Sequence, residues 1–498
     1  MEQQKIQVPM LQKTVLTDLS EEFTIPDYQP EIKRILRIEA VAMPADRYVG
    51  PGSAEFSGKV EYTLFYLGED GEIYGAPFEG DYRVLQSVEF PGDAAFDAGI
   101  LCDADIFTEA TTGRLLSPRK FLVKTRLHSE IRLYGERLIE EEFPEGCDCE
   151  MLTEETVCAR HFLGESEPVR LSDEIPLENG EAPIRVVLCR GKVLVEDATP
   201  EEGSLLARGE VVVKLLTVKE GSGERPEAVL RKLPFDVMIP VDGLTPDAMV
   251  SVNGCVTDTV VTVEDTRILL DVEMRLFARA LGEDRLTYTR DLYALGKEST
   301  PTFETLAYPS AIASGFGNFT LSARVPLADA GLAKGQRLED LTLIPVIEEA
   351  SGEDGRLTFS GKCRAQAVIS SGDEWTTSEF EVPFRYDAGA CPKAAIKDIR
   401  ALADALFCNA RKEGDHLALE GEIAVSYTLS GQEEITRAVS LTIGGEIATP
   451  ASTLRVCYPA PGDTLWSLGK RYGVSRSSLA EANSLSSDSL SGVKFLVV

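Results

Sequence analysis

Alternation of apolar and polar side chains is the dominant signal along most of the chain. After Gly58, Gly209 and Gly361 the apolar positions fall on every second residue. They are Val60, Tyr62, Leu64 and Tyr66; then Val211, Val213 and Leu215; then Cys363, Ala365, Ala367 and Ile369. Period two marks a strand with one buried face, and Lys362, Arg364 and Gln366 take the other face in the third stretch. A second alternating run follows each of these. It reads Leu127, Ile131, Leu133; Ile268, Leu270, Val272, Met274, Leu276; and Leu417, Leu419, Ile423, Val425, Tyr427. Turns rich in Gly, Pro and Asp between the runs predict antiparallel, sandwich-like packing.

The runs repeat at long range. FSGKVEYTLFY (56–66), ARGEVVVKLLT (207–217) and FSGKCRAQAVI (359–369) superpose, with their glycines 151 and 152 residues apart. Upstream of each lies an apolar-Pro pair: Ile25-Pro26, Ile175-Pro176 and Val325-Pro326. Downstream come the triplets Ala76-Pro77-Phe78, Leu233-Pro234-Phe235 and Val382-Pro383-Phe384. Three anchors in one order and at one period predict three copies of a mainly β unit, spanning 8–147, 157–297 and 308–447. Residues 394–407 have helical propensity, but their register with the second copy predicts strand. The acidic or polar stretches 140–156 and 296–311 read as solvated connectors.

Residues 453–498 follow a different pattern. Leu454–Tyr458 predicts a short strand, broken by Pro459, Pro461 and Gly462. Asp463 or Thr464 can cap a helix through a side-chain oxygen, and Leu465, Leu468 and Tyr472 then share one face. Gly473 ends that helix, and Ser475 can cap a second with Leu479 and Ala482 inward, finishing near Asn483. Val493–Val497 returns as a strand, so the order is β-α-α-β.

This segment resembles a LysM module, a small domain that binds N-acetylglucosamine glycans such as peptidoglycan and chitin. The resemblance rests on PGDTLWSLGKRYGVS at 461–475, on Leu479, Asn483 and Leu485, and on Gly492 before the closing strand. It implies a shallow glycan groove between two loops: Gly462, Asp463, Thr464 and Leu465 on one side, Asn483, Leu485 and Ser486 on the other. Three positions depart from the family pattern. Pro459 stands where a β-branched residue is usual, Gly469 replaces a small helix former, and Val493 replaces a Gln. Trp466 reads as a partly buried aromatic before it reads as a sugar-stacking one, and Asn483 as a loop brace as readily as a ligand.

Composition narrows the partners. The 498-residue chain carries 50 Lys and Arg against 82 Asp and Glu, a net charge of −32, which repels phosphate backbones and anionic lipid. Its five cations and three acids make the C-terminal module slightly basic at +2, leaving −34 on the rest. No apolar run is long enough to span a bilayer, and the N-terminus lacks the apolar core of a secretory signal, which leads to an expectation of a cytoplasmic protein. Ten cysteines in a chain of this length suit reduced thiols rather than a disulfide framework.

Acidic β repeats followed by one LysM module are similar to the clostridial spore-coat morphogenetic proteins with repeated SPOCS domains. IPDYQPEIKRILRIEA at 25–40, the anchor strands and the apolar-Pro-Phe triplets carry that likeness. It implies a non-enzymatic scaffold in the mother-cell cytoplasm at the forespore surface or spore coat. The implied partner is a basement-layer ATPase of the stage IV sporulation protein A type. No HExxH, phosphate loop or GxSxG elbow is present, and no cofactor is implied. Cys147, Cys149, Cys158 and His161 make a C-x-C-x8-C-x2-H cluster, but the spacing favours reduced cysteines over a zinc site. An exported wall protein or adhesin and a wall hydrolase are the alternative readings.

Overall fold

The alternating runs fold as strands, and their apolar positions are the buried ones. The computed structural model describes residues 4–50, 52–88, 100–144, 146–177, 184–219, 226–352, 355–372, 374–391, 395–447, 455–485, 490 and 493–498. The first third holds β1 (Lys5–Thr24), β2 (Ile32–Ala42), β3 (Asp46–Gly50), β4 (Ser53–Gly68), β5 (Ile73–Ser87), β6 (Leu101–Ser117) and β7 (Lys120–Leu138). The second holds β8 (Cys149–Glu165), β9 (Val169–Pro176), β10 (Ile184–Glu201), β11 (Ser204–Lys219), β12 (Glu227–Pro240), β13 (Met249–Glu264) and β14 (Arg267–Ala294). The third holds β15 (Lys297–Pro326), β16 (Arg337–Ser351), β17 (Arg356–Ser371), β18 (Glu374–Ala390), β19 (Ile396–Glu413) and β20 (His416–Glu446). The C-terminus adds β21 (Val456–Cys457), α1 (Leu465–Tyr472), α2 (Arg476–Ala482) and β22 (Leu496–Val497).

Each third contributes two antiparallel sheets. One is centred on the strand after the anchor glycine: β4 between β2 and β5, β11 between β10 and β12, β17 between β16 and β18. The other is centred on the later run: β7 between β1 and β6, β14 between β13 and both β8 and β9, β20 between β15 and β19. The inward faces of both sheets supply one apolar core in each third. Residues 396–407 of the segment with helical propensity lie in β19, where the antiparallel ladder with β20 satisfies their backbone and tertiary pairing overrides propensity.

The anchor glycines have a packing role. A Cβ at Gly209 would stand 2.9 Å from Phe235 Cζ, one at Gly361 would stand 3.0 Å from Phe384 Cζ, and one at Gly58 would stand 2.7 Å from the Tyr82 hydroxyl. An aromatic ring on the neighbouring strand lies over each glycine. In the first third that ring is Tyr82, so the match of Ala76-Pro77-Phe78 to the later triplets is displaced: Phe78 pairs with Tyr62, whereas Phe235 and Phe384 pair with the glycines.

The stretches expected to be solvated connectors are largely strand. β8 starts at Cys149 and β15 at Lys297, and Leu306 and Tyr308 of the latter are buried. Leu306 and Tyr308 share one cluster with Ile6, Ile139, Cys158 and Leu286, so residues of the first two thirds cover them.

Equivalent positions meet where the sheets of different thirds adjoin. Phe65, Leu216 and Val368, each seven residues after its anchor glycine, share one apolar cluster. Counted from the hairpin turn, Arg132, Arg279 and Thr428 are equivalent, and their cross-strand partners are Asp103, Ser251 and Arg400. These six line two small clefts that share Arg279, Arg400 and Thr428. Arg279 bonds Asp103 at 3.2 Å and Asp105 at 2.8 Å, and Arg400 pairs with both carboxylates. Across the other sheets Arg37 and Lys214 both pair with Asp340. Burial alone would raise the Asp340 carboxyl, but the two facing cations hold it well below the usual carboxylate range. Such pairs add little net stability over an apolar contact, yet breaking one strands a buried charge.

Candidate functional site

The C-terminal module builds its loops from short-range rules. Thr464 caps α1: its hydroxyl accepts the Ser467 N–H at 3.2 Å, and the Ser467 hydroxyl accepts the Thr464 N–H at 2.9 Å. Asp463 accepts the Ala460 N–H at 2.8 Å and pairs with Arg471 at 2.9 Å. The Ala460 N–H and the Arg471 guanidinium hold the Asp463 carboxyl below its usual range. Gly462 takes φ +94, and a Cβ there would touch nothing within 4 Å, so the loop is open to solvent. Gly473 ends α1 in the left-handed conformation, and Ser475 caps α2.

Leu465 is buried and Leu485 packs on the same core with Leu468, Leu479 and Leu496, which brings the two predicted groove loops onto one small body. Asn483 is a brace. Its amide donates to the Leu479 and Val497 carbonyls, both at 2.8 Å, and its Oδ1 accepts the Val497 N–H at 2.7 Å. Gly462 and Thr464 remain exposed; Ser486 and Gly492 lie outside the described residues. Ala482, expected inward, is exposed at the last position of α2, and Ala480 packs on the core instead.

Sequence reading missed how this module is held. Asp291 of β14 accepts the Trp466 indole N–H at 2.9 Å and the Lys470 ammonium at 2.5 Å. Tyr293 donates to the Val474 carbonyl at 2.9 Å and meets the Trp466 ring edge-on at 5.0 Å. Gly296 donates to the Gly473 carbonyl at 2.8 Å. A Cβ at Gly469 would collide with the Tyr293 hydroxyl. The departure at Gly469 was the available signal: the helix face has lost its side chain where another surface presses against it.

The four residues weighed for zinc do not converge. Cys147 and Cys149 pack beside Leu292, Ala294 and Leu441, whereas Cys158 sits with Ile6, Ile139 and Leu306. Burial and the neighbouring Cys147 push the Cys149 thiol up to about 11, and burial does the same at Cys158, which disfavours the thiolate a metal needs. His161 stacks on Tyr134 at 4.0 Å beside the charged centre, where burial pushes its imidazole down to about 4. Among the described residues no group of three or more His, Cys, Asp or Glu could hold a metal, and no helix is long and apolar enough to cross a membrane.

The LysM domain family matches residues 460–492, which contain both described loops and both helices. No curated protein and no solved structure matches the chain.

Proposed function

We propose that the chain is a non-enzymatic scaffold of endospore coat morphogenesis, docked at the forespore surface through its LysM module and binding coat proteins through its β units. The LysM domain itself points to binding of peptidoglycan or another N-acetylglucosamine glycan. The latch of Asp291 and Tyr293 on α1 carries the scaffold reading. It makes the module a fixed limb of a large acidic β body, with Gly462 and Thr464 left facing solvent, which suits a positioned tether better than a mobile targeting domain. The meeting of equivalent residues from successive thirds supports three copies of one unit, each offering a similar outer surface. Several weak contacts to coat proteins would then act together. In this reading the protein works in the mother-cell cytoplasm, with a basement-layer ATPase of the stage IV sporulation protein A type as its partner.

Pelleting of the full chain with purified peptidoglycan, and its release by soluble N-acetylglucosamine oligomers, tests the glycan half. A pull-down of the basement-layer ATPase tests the coat half. Pelleting that oligomers do not reverse, together with a failed pull-down, would remove both. The exported wall protein or adhesin is the second reading, because the LysM match serves it equally well; a processed N-terminus on the mature chain would favour it. Release of soluble muropeptides by the purified protein would favour a hydrolase.

A further inference from the structure

The module has four aromatic side chains among its described residues, and two are engaged within the protein. Trp466 is buried, with its N–H on Asp291, and Tyr472 lies under the Arg455 guanidinium at 4.3 Å. The other two are open: Tyr458 is 76% exposed and Phe495 56%. The β21–β22 pairing sets Val456 opposite Val497 and Cys457 opposite Leu496. Continuing that register by one residue sets Tyr458 opposite Phe495. Cys457 and Leu496 point into the module's core, so Val456, Tyr458 and Phe495 occupy the outer face, away from the helices that grip the β body.

We propose that Tyr458 and Phe495 form a stacking platform for the sugar rings of an extended N-acetylhexosamine chain, continuing the groove at Gly462–Leu465. This rests on the glycan reading above. Tyr458 joins the groove loop directly through Pro459, Ala460 and Pro461, so a chain leaving the loop passes onto the ring pair. A handful of side chains falls far short of the roughly 800 Å² per partner that a stable protein interface buries. It matches the apolar face of one or two pyranose rings, and the Tyr458 hydroxyl adds a hydrogen-bonding group at the edge. Pro459, where the family has a β-branched residue, ends the strand and leaves the Tyr458 ring at the rim of the loop.

Titrating the full chain with a trisaccharide and a hexasaccharide of N-acetylglucosamine tests the proposal, using Tyr458→Ser/Phe495→Ser beside the parent. The parent gains affinity with length, and the variant keeps trisaccharide affinity but loses about tenfold on the hexasaccharide. With Trp375→Phe in both proteins, so that Trp466 is the one indole left, an unchanged emission spectrum shows that the module remains folded and docked in the variant. Equal length dependence in both proteins would overturn the platform and leave the glycan reading intact. Absence of binding to either oligomer would overturn both. A concentration-dependent dimer of the parent, lost in the variant, would make the face a contact between copies and overturn the proposal.

Discussion

Replacing His161 by Phe should flatten the acid side of the stability profile by a predictable amount. His161 is buried against Tyr134, facing Asp103 and Asp398 as well as Arg132 and Arg400, and its Nε2 has no hydrogen-bond partner. Burial lowers its pKa from 6.5 to about 4 in the folded chain. The unfolded chain therefore takes up a proton first as pH falls. The stability tied to the neutral imidazole is present in full above 6.5 and is lost progressively down to about 4. At about 1.4 kcal/mol per pKa unit, the loss across that window is roughly 3 kcal/mol. Phe keeps a flat ring on Tyr134, and the backbone bonds of residue 161 to the Gln7 side chain do not depend on the imidazole. Urea unfolding of both proteins at several pH values between neutral and about 4 reads the difference, and carboxylates common to the two cancel. The gap between the curves should change by roughly 3 kcal/mol on acidification, in favour of the variant. Parallel curves would refute the reasoning, because they would mean that His161 titrates in the folded chain as it does in the unfolded one.

Three further outcomes follow from the packing. Asp291→Ala removes the acceptor for Trp466 and Lys470 and should weaken docking of the module by about 1–3 kcal/mol, read in a Trp375→Phe background as a red shift in Trp466 emission while α1 persists. Gly469→Leu should undock the module, because its Cβ would collide with the Tyr293 hydroxyl and stand 2.9 Å from the Val474 carbonyl that Tyr293 bonds, and unchanged amide relaxation of the module would count against it. Arg400→Met leaves Asp103 and Asp105 facing each other with less countercharge and should cost about 3–5 kcal/mol in denaturant unfolding, recovered in part by adding Asp105→Asn.

Local chemistry alone determined a large part of this protein. Alternation at Val60–Tyr66, Val211–Leu215 and Cys363–Ile369 marked both the strands and their buried faces, since side chains on a strand alternate whatever the strand pairs with. Thr464, Gly473 and Ser475 marked the helix ends, because a cap is made with residues a few positions away. The first loop of the module was legible for the same reason, whereas Asn483, open between brace and ligand in the sequence, is a brace through bonds to Val497 on the closing strand.

What needed the tertiary structure was every interaction between elements distant in sequence. Asp103, Arg279 and Arg400 are charged residues that no pattern along the chain sets apart, and they are buried because three sheets converge on them. The acidic stretch from Cys149 and the polar one from Lys297 read as connectors, yet each lies along a central strand whose ladder it completes. Tyr82 rather than Phe78 covers its anchor glycine, a choice made by cross-strand register and not by spacing along the chain. The grip of Asp291 and Tyr293 on α1 joins residues about 180 positions apart, and the order of side chains in one segment holds no record of which distant surface it will meet.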